Sequence, residues 1–169
     1  MLVREGDVRD AENLAALAIQ VWLHTYATEG ISSDISRYVL SEFTPKKFEA
    51  IVANESSAVL VAESDKNLVG YARVVTATAC PVATSSKVEL STLYVQTPFN
   101  GQGVGQALLS QAEKWARERK NTSLWLTVNS KNSRAIAFYA KHGYTKLGVT
   151  HFKLGNEKHE NLVLVGRDA

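Results

Sequence analysis

A β-rich run from Val88 to Val95 enters a short turn holding Gly101, Gly103 and Gly105. An apolar helical pattern starts at once, with Val104, Ala107, Leu108, Ala112 and Trp115. Strand, glycine turn and helix start, in that order, constrain this chain more than any other feature. The first N–H groups of a helix have no acceptor inside it, and the helix dipole adds partial positive charge there. Glycine lets the backbone approach a ligand with no Cβ in between. The combination makes a cradle for an anion, phosphate above all. A tight strand-to-helix turn that needs glycine only for positive φ is the plainer reading of the same residues. The spacing is G-x-G-x-G, whereas a dinucleotide site needs G-x-G-x-x-G. Gly105 is followed by Gln106 and Ala107, whereas a nucleotide P-loop continues with lysine and a hydroxyl residue. Neither of those classes fits.

Other features narrow the possibilities. At 169 residues the chain reads as a single domain, 1–169, large enough to bury about two-thirds of the surface its unfolded chain exposes. A net charge of +2 argues against a nucleic-acid surface. Arg4, Glu5, Asp7, Arg9 and Asp10 leave no room for a secretory apolar core in the first ten residues, and apolar runs such as Ala58 to Ala62 are too short to span a membrane. One cysteine, Cys80, fits a reducing compartment, so a cytoplasmic protein with no membrane partner is expected. His24, His142, His151 and His159 lack the spacing of metal ligands, so no metal is expected. No G-x-S-x-G is present, which argues against a serine hydrolase.

Taken in order, Leu2 to Glu5 predicts a strand. Asp7 predicts the cap of a helix carrying Leu14, Leu17, Ala18, Val21 and Trp22 on one stripe. Thr28-Glu29-Gly30 breaks it. Ser32 to Leu40 predicts a second helix, and Thr44-Pro45 starts a third that runs to about Asn54. Trp22, Tyr26, Tyr38 and Phe43 lie among Glu29, Asp34 and Glu42. Two readings are open here: a hydrophobic lid with solvated charges, or a substrate wall whose aromatic faces and carboxylates suit a cation. Ala58 to Glu63 and Leu68 to Thr78 predict strands around the turn Ser64-Asp65-Lys66-Asn67. In Val88 to Val95, alternation puts Glu89, Ser91, Leu93 and Val95 on one face. Glutamate is depleted from strands, so Glu89 is either a solvated edge residue or a functional one.

The helix from Val104 runs to about Lys120, and Leu124 to Val128 alternates as a strand. Asn132, Ala135, Ile136 and Tyr139 share one face of the next helix, so its first polar residue and its tyrosine can address one ligand; Tyr139 as a plain core aromatic is the alternative. Gly143 stops that helix. Tyr144 to Thr150 and Asn161 to Val165 predict the closing strands around Gly155-Asn156.

Two motifs together resemble the GNAT superfamily of acetyltransferases. Leu93-Tyr94-Val95 followed by Asn100-Gly101-Gln102-Gly103-Val104-Gly105 is similar to its acetyl-CoA-binding motif, Q/R-x-x-G-x-G/A, with asparagine in the first place. Asn132 to Tyr144, NSRAIAFYAKHGY, resembles its next motif, N-x-x-A-I-x-F-Y-x-K-x-G-F/Y. The front end, Trp22 to Leu40, the helix start, Phe43 to Phe48, and the tail, His151 to Leu164, look most like PaiA-type spermidine/spermine N-acetyltransferases. The resemblance implies an α/β (α+β) GNAT fold: a central mixed, mostly antiparallel sheet of about six to seven strands with helices on both faces. Asn100 departs from the family's arginine or glutamine, and Pro98 stands one place later than the family's proline; neither removes the backbone donors.

The resemblance further implies transfer of acetyl from acetyl-CoA, the co-substrate, to a primary amine of a small molecule, with a polyamine as one class. Leu93, Tyr94, Val95, Asn100, Gly101, Gln102, Gly103, Val104, Gly105 and Gln106 would bind acetyl-CoA, joined by Asn132, Tyr139 and Lys141. Trp22, Tyr26 and Tyr38 would meet the amine. An ammonium with a pKa near ~10 has no lone pair at neutral pH, so a base is needed, and Glu89 is placed for it, directly or through a water. Tyr139 would protonate the departing thiolate, and a strand splayed at Leu93 to Val95 would supply an N–H to the oxyanion. Ribosomal-protein acetyltransferases carry a glutamate where this chain has Thr127, which leans away from protein α-amines. An acetyltransferase for a protein or antibiotic amine, and a silent CoA-binding sensor, stay open as alternatives. Strand-sharing homodimers are common among similar proteins, so a homodimer is compatible with this reading.

Overall fold

A computed structural model describes residues 1–76, 78–120 and 122–167. Its strands are β1 (Leu2–Glu5), β2 (Ser57–Ser64), β3 (Asn67–Thr76), β4 (Val88–Val95), β5 (Leu124–Asn129), β6 (Thr145–Leu154) and β7 (Glu157–Val165). Its α-helices are α1 (Ala11–Tyr26), α2 (Ser33–Glu42), α3 (Pro45–Val52), α4 (Val104–Lys120) and α5 (Ser133–Lys141). Among the described residues the sheet has seven strands in the order β1-β2-β3-β4-β5-β7-β6. It is mixed: β1 with β2, β5 with β7 and β6 with β7 run antiparallel, while β4 and β5 run parallel. This is the α/β GNAT architecture expected. The chain divides into two compact units, Met1–Val74 with Thr92–Ala112, and Val75–Ser91 with Glu113–Ala169, so β4 and α4 each contribute to both.

In the first unit, one turn of 3-10 helix, Val8–Asp10, precedes α1. Asp7 therefore caps this turn and not the α-helix: its carboxylate accepts from the Arg9 N–H, and Asp10 answers from the Asp7 N–H in a capping box. Asp10 has a second job. The Arg4 guanidinium grips both of its oxygens, at 2.8 and 2.9 Å, and also reaches Glu63, which ties β1, the capping turn and β2 together. Leu14, Leu17 and Ala18 of α1 pack with Phe48 of α3 against Val59, Val61 and Tyr71. α2 and α3 start on hydroxyl caps, Ser32 and Thr44, with Pro45 in the first turn of α3. β2 and β3 form a hairpin whose turn residues, Asp65 (φ 49°) and Lys66 (φ 68°), have the left-handed conformation of a two-residue loop.

Consecutive strand residues point to opposite faces. Tyr71 points into the α1–α3 core, and at Gly70 a Cβ would lie 2.7 Å from the Tyr94 carbonyl oxygen and 3.2–3.3 Å from Leu108 and Val104 of α4. Helices therefore cover both faces of this unit's strands, and Gly70 lets β4 and α4 come close.

In the second unit the β4–β5 ladder pairs Val88 with Leu124 and Glu89 with Trp125, at the first two residues of β4. β5 continues with β7 from Trp125↔Val165 to Asn129↔Asn161. The β6–β7 hairpin is longer than expected: pairing extends to Leu154↔Glu157, so β6 runs past Thr150 and β7 begins before Asn161. β3 in turn stops at Thr76, short of the expected Thr78; Ala77, within that expected strand, lies outside the described residues.

Candidate active site

The glycine turn lies in the first unit. After β4 the Gln96 N–H donates to the Val69 carbonyl (2.9 Å), and a 3-10 turn over Thr97–Phe99 redirects the chain. The Phe99 and Asn100 N–H groups close that turn on Gln96 and Thr97. Gly101 and Gly103 follow with φ of 78° and 83°, conformations that an L side chain adopts only with strain. The Ala107 N–H donates to the Gly103 carbonyl (2.9 Å), so Gly103 is the residue from which α4 winds. The N–H groups of Val104, Gly105 and Gln106 fall in the first turn, where no intrahelical acceptor exists.

The loop also meets the steric demand of a large anionic ligand. A Cβ built on Gly101 or Gly103 would meet nothing within 4 Å, so the loop's outer face is open space. Val104, Leu108 and Leu109 anchor the helix behind it, at 3%, 0% and 1% exposure. Gln102 is committed locally, its side-chain amide donating to the Pro98 carbonyl (2.9 Å). Leu93, Tyr94, Val95 and Asn100 are half-buried, and Gln106 is exposed. The loop from Val95 to Leu109 holds no lysine or arginine, so whatever it holds is held by backbone donors and the helix dipole.

The three front-end aromatics are in the same unit, and Trp22 contacts both tyrosines. Trp22 stacks on Tyr38 with ring centroids 4.8 Å apart and lies 4.6 Å from Tyr26. Trp22 itself is 3% exposed, so Tyr26 and Tyr38 are the surface and Trp22 is their support. Tyr94 joins them, and with it Tyr71 and Thr92, which sequence reasoning did not single out. Tyr71 meets the Tyr94 ring edge-on at 5.6 Å, and its hydroxyl bonds with Thr92. The signal was in β4 itself: Thr92 and Tyr94 alternate onto the face opposite Glu89, Ser91 and Leu93. Burial pushes the Tyr71 and Tyr94 phenols well above their ordinary pKa.

The second unit carries the other motif. Asn132 caps α5: its side-chain oxygen accepts from the Ala135 N–H (3.1 Å) and its carbonyl from the Ile136 N–H (3.0 Å). Its side-chain amide nitrogen is the group left for a ligand. α5 ends in a Schellman motif, with Tyr144 N–H to Tyr139 carbonyl and Gly143 N–H to Ala140 carbonyl, both 3.0 Å, and Gly143 at φ 85°. Tyr139 is 8% exposed, between Phe138 (5.2 Å, edge-on) and Tyr144 (5.5 Å). Burial is what pushes its phenol well above the ordinary value. Tyr144, the last residue of the second motif, is a buried support whose hydroxyl donates to Glu113 (3.1 Å). Glu89 is half-buried opposite Trp125, and Lys141 is exposed in the last turn of α5. Among the described residues no cluster of three or more metal-ligating side chains occurs, and no helix is long and apolar enough to cross a membrane.

Comparison with known proteins decides the family. The model of the acetyltransferase (GNAT) family matches residues 20–144, most of the chain. The chain belongs to the GNAT family. It is an acetyl-CoA-dependent N-acetyltransferase of that family. An uncharacterised N-acetyltransferase of Mycobacterium bovis is 30% identical over 156 residues, covering 92% of this chain and 96% of that protein. The spermidine N(1)-acetyltransferase of Thermoplasma acidophilum is 27% identical over 148 residues, covering 84% of this chain and 86% of that one. In fold, this GNAT chain superposes on the PaiA N-acetyltransferase of Thermoplasma acidophilum in complex with coenzyme A, with a TM-score of 0.80, 22% identity and 98% of each chain covered. It also superposes on a ribosomal-protein-alanine N-acetyltransferase from Brucella melitensis, with a TM-score of 0.73 and 23% identity, covering 98% of each.

Proposed function

We propose that this GNAT enzyme acetylates a primary amine of a small molecule, with residues 1–169 acting as one catalytic domain. The open glycine turn at the start of α4 carries the reading, because its backbone donors suit the pyrophosphate of acetyl-CoA. Leu93, Tyr94 and Val95 would line the pantetheine through their backbone, and residues Asn100 to Gln106 would hold the phosphates. The amide nitrogen of Asn132 and the ammonium of Lys141 would add side-chain contacts. The PaiA-type assignment, and polyamines as a substrate class, rest on the spermidine N(1)-acetyltransferase relative. The lone Cys80 supports the cytoplasm as the place of action.

Acetyl-CoA supplies the activated thioester; the protein's part is protons and position. Glu89 takes the proton from the ammonium, directly or through a water, which frees the nitrogen lone pair. Tyr139 holds its proton at the phenol oxygen, and its burial supports this role. A thiol near pKa ~8.5 is a stronger acid than such a phenol, so full transfer from Tyr139 would run uphill. The nitrogen then bonds to the thioester carbon and the C–S bond breaks. Tyr139 donates a hydrogen bond to the sulfur as negative charge develops there. The leaving thiolate takes the second proton that the acylated nitrogen loses, so the tyrosine is not ionised.

A thiol-release assay with acetyl-CoA and a panel of polyamines, amino acids, aryl-alkyl amines and aminoglycosides tests the proposal. Release with at least one small amine is expected. An absence of release with every amine would leave a silent CoA-binding module as the better reading.

A further inference from the structure

The Tyr139 ring has two aromatic neighbours, Phe138 at 5.2 Å and Tyr144 at 5.5 Å, and they are held differently. Phe138 is half-buried and rests on His142, with ring centroids 4.4 Å apart. Tyr144 is 5% exposed and is tied at both of its ends within the second unit. Its N–H donates to the Tyr139 carbonyl (3.0 Å), which closes α5. Its hydroxyl donates to the Glu113 carboxylate (3.1 Å), which brings in α4.

The ring between those ends lies against backbone. A Cβ on Gly166 would stand 3.2 Å from the Tyr144 Cζ, and the Gly166 N–H donates to the Leu124 carbonyl of β5 (2.8 Å). Burial, and next the charge of Glu113, raise the pKa of the Tyr144 phenol, so its hydroxyl stays a donor. A hydrogen bond to a carboxylate is among the stronger ones a phenol can make. With its backbone fixed on α5 and its hydroxyl on α4, the ring has one orientation, and the wall it presents to Tyr139 is fixed with it. The second motif admits phenylalanine or tyrosine at this place, so the hydroxyl and its carboxylate anchor are features of this chain.

A hydrogen bond to charge developing on sulfur is worth most when the donor is held in place beforehand. A misplacement of about 1 Å can cost on the order of 10²-fold. We propose that Tyr144 and Glu113 are positioning residues, which act on the reaction by holding the Tyr139 phenol in the direction from which it donates to the sulfur. This rests on the role of Tyr139 proposed above and deepens it. Neither residue belongs to the glycine turn, so the effect falls on kcat and leaves acetyl-CoA binding alone.

The test is a double-mutant cycle on the full chain, with acetyl-CoA and the best amine of the panel, at a temperature where every variant is folded by circular dichroism. Tyr144→Phe keeps the ring and removes the anchor; kcat should fall by about tenfold, with both KM values within about twofold. Glu113→Ala should fall equally, while Glu113→Gln, which keeps an acceptor oxygen, should hold kcat within about threefold. In a Tyr139→Phe background, Tyr144→Phe should cost nothing further, because the hydroxyl it positions is gone. A wild-type kcat in Tyr144→Phe, or the same tenfold loss with and without the Tyr139 hydroxyl, would overturn the inference and leave Tyr139 its role. Full kcat in Tyr139→Phe alone would instead remove the role on which the inference stands.

Discussion

At Tyr139 the proposed chemistry rests on a single atom. Its hydroxyl oxygen is removed in Tyr139→Phe, while the ring packing against Phe138 and Tyr144 is kept. Loss of a positioned hydrogen-bond donor to developing charge costs on the order of 10²-fold in kcat, so a fall of about that size is expected, with KM for acetyl-CoA little changed. A Tyr139→Phe enzyme with full kcat at every pH would remove the role. Tyr139 was legible from sequence because helical spacing places it on one face with Asn132. Tyr144 was not, because its bond to Glu113 joins residues 31 apart in sequence and no local pattern encodes it. Asn132 falls between these cases: its position was read from the motif, but its use of the side-chain oxygen as a cap is visible only in the structure.

Elements were legible where one principle dominated. Thr44-Pro45 announced α3, and the alternation of Val88 to Val95 gave the bounds of β4. The long β6–β7 hairpin was not readable, because Lys153, Glu157, Lys158 and Glu160 give it no apolar period; cross-strand pairing makes those residues strand. At the glycine turn, Gly103→Val puts a β-branched residue at φ 83°, where the strain is of order 1–3 kcal/mol, so weaker acetyl-CoA binding with altered amide signals at the start of α4 is expected in a titration. Unchanged affinity would mean that the turn is only a turn. Gly70→Ala acts on packing: a methyl 2.7 Å from the Tyr94 carbonyl oxygen must displace β4, costing about 1–3 kcal/mol in urea unfolding. At the start of the chain, Asp10→Asn weakens the grip of Arg4 and should cost about 2 kcal/mol.

For the whole molecule, titration sets both edges of the stability window. The Arg4 guanidinium holds the Asp10 carboxyl below its ordinary value. That contribution is complete above the unfolded value near ~4 and is lost as pH falls through the lower, folded one. Tyr71, Tyr94, Tyr139 and Tyr144 are displaced the other way, all raised by burial. The folded state keeps these protons after the unfolded chain has begun to release them. Their contribution is therefore complete below about pH 10 and declines above it, by up to about 1.4 kcal/mol per tyrosine for each pH unit. Urea midpoints should be flat near neutrality and fall steeply above pH 10; midpoints that held to pH 12 would contradict the burial of these phenols.

The central claim is that this GNAT chain moves acetyl from acetyl-CoA to the nitrogen of a small amine. Its most direct test is to mix the enzyme with acetyl-CoA and each amine of the acceptor panel and follow free thiol and N-acetylated amine in the same sample. The account predicts that the two appear together in equal amounts and that both fall in Tyr139→Phe. Thiol release no faster than from acetyl-CoA without an amine, across the whole acceptor panel, would contradict it.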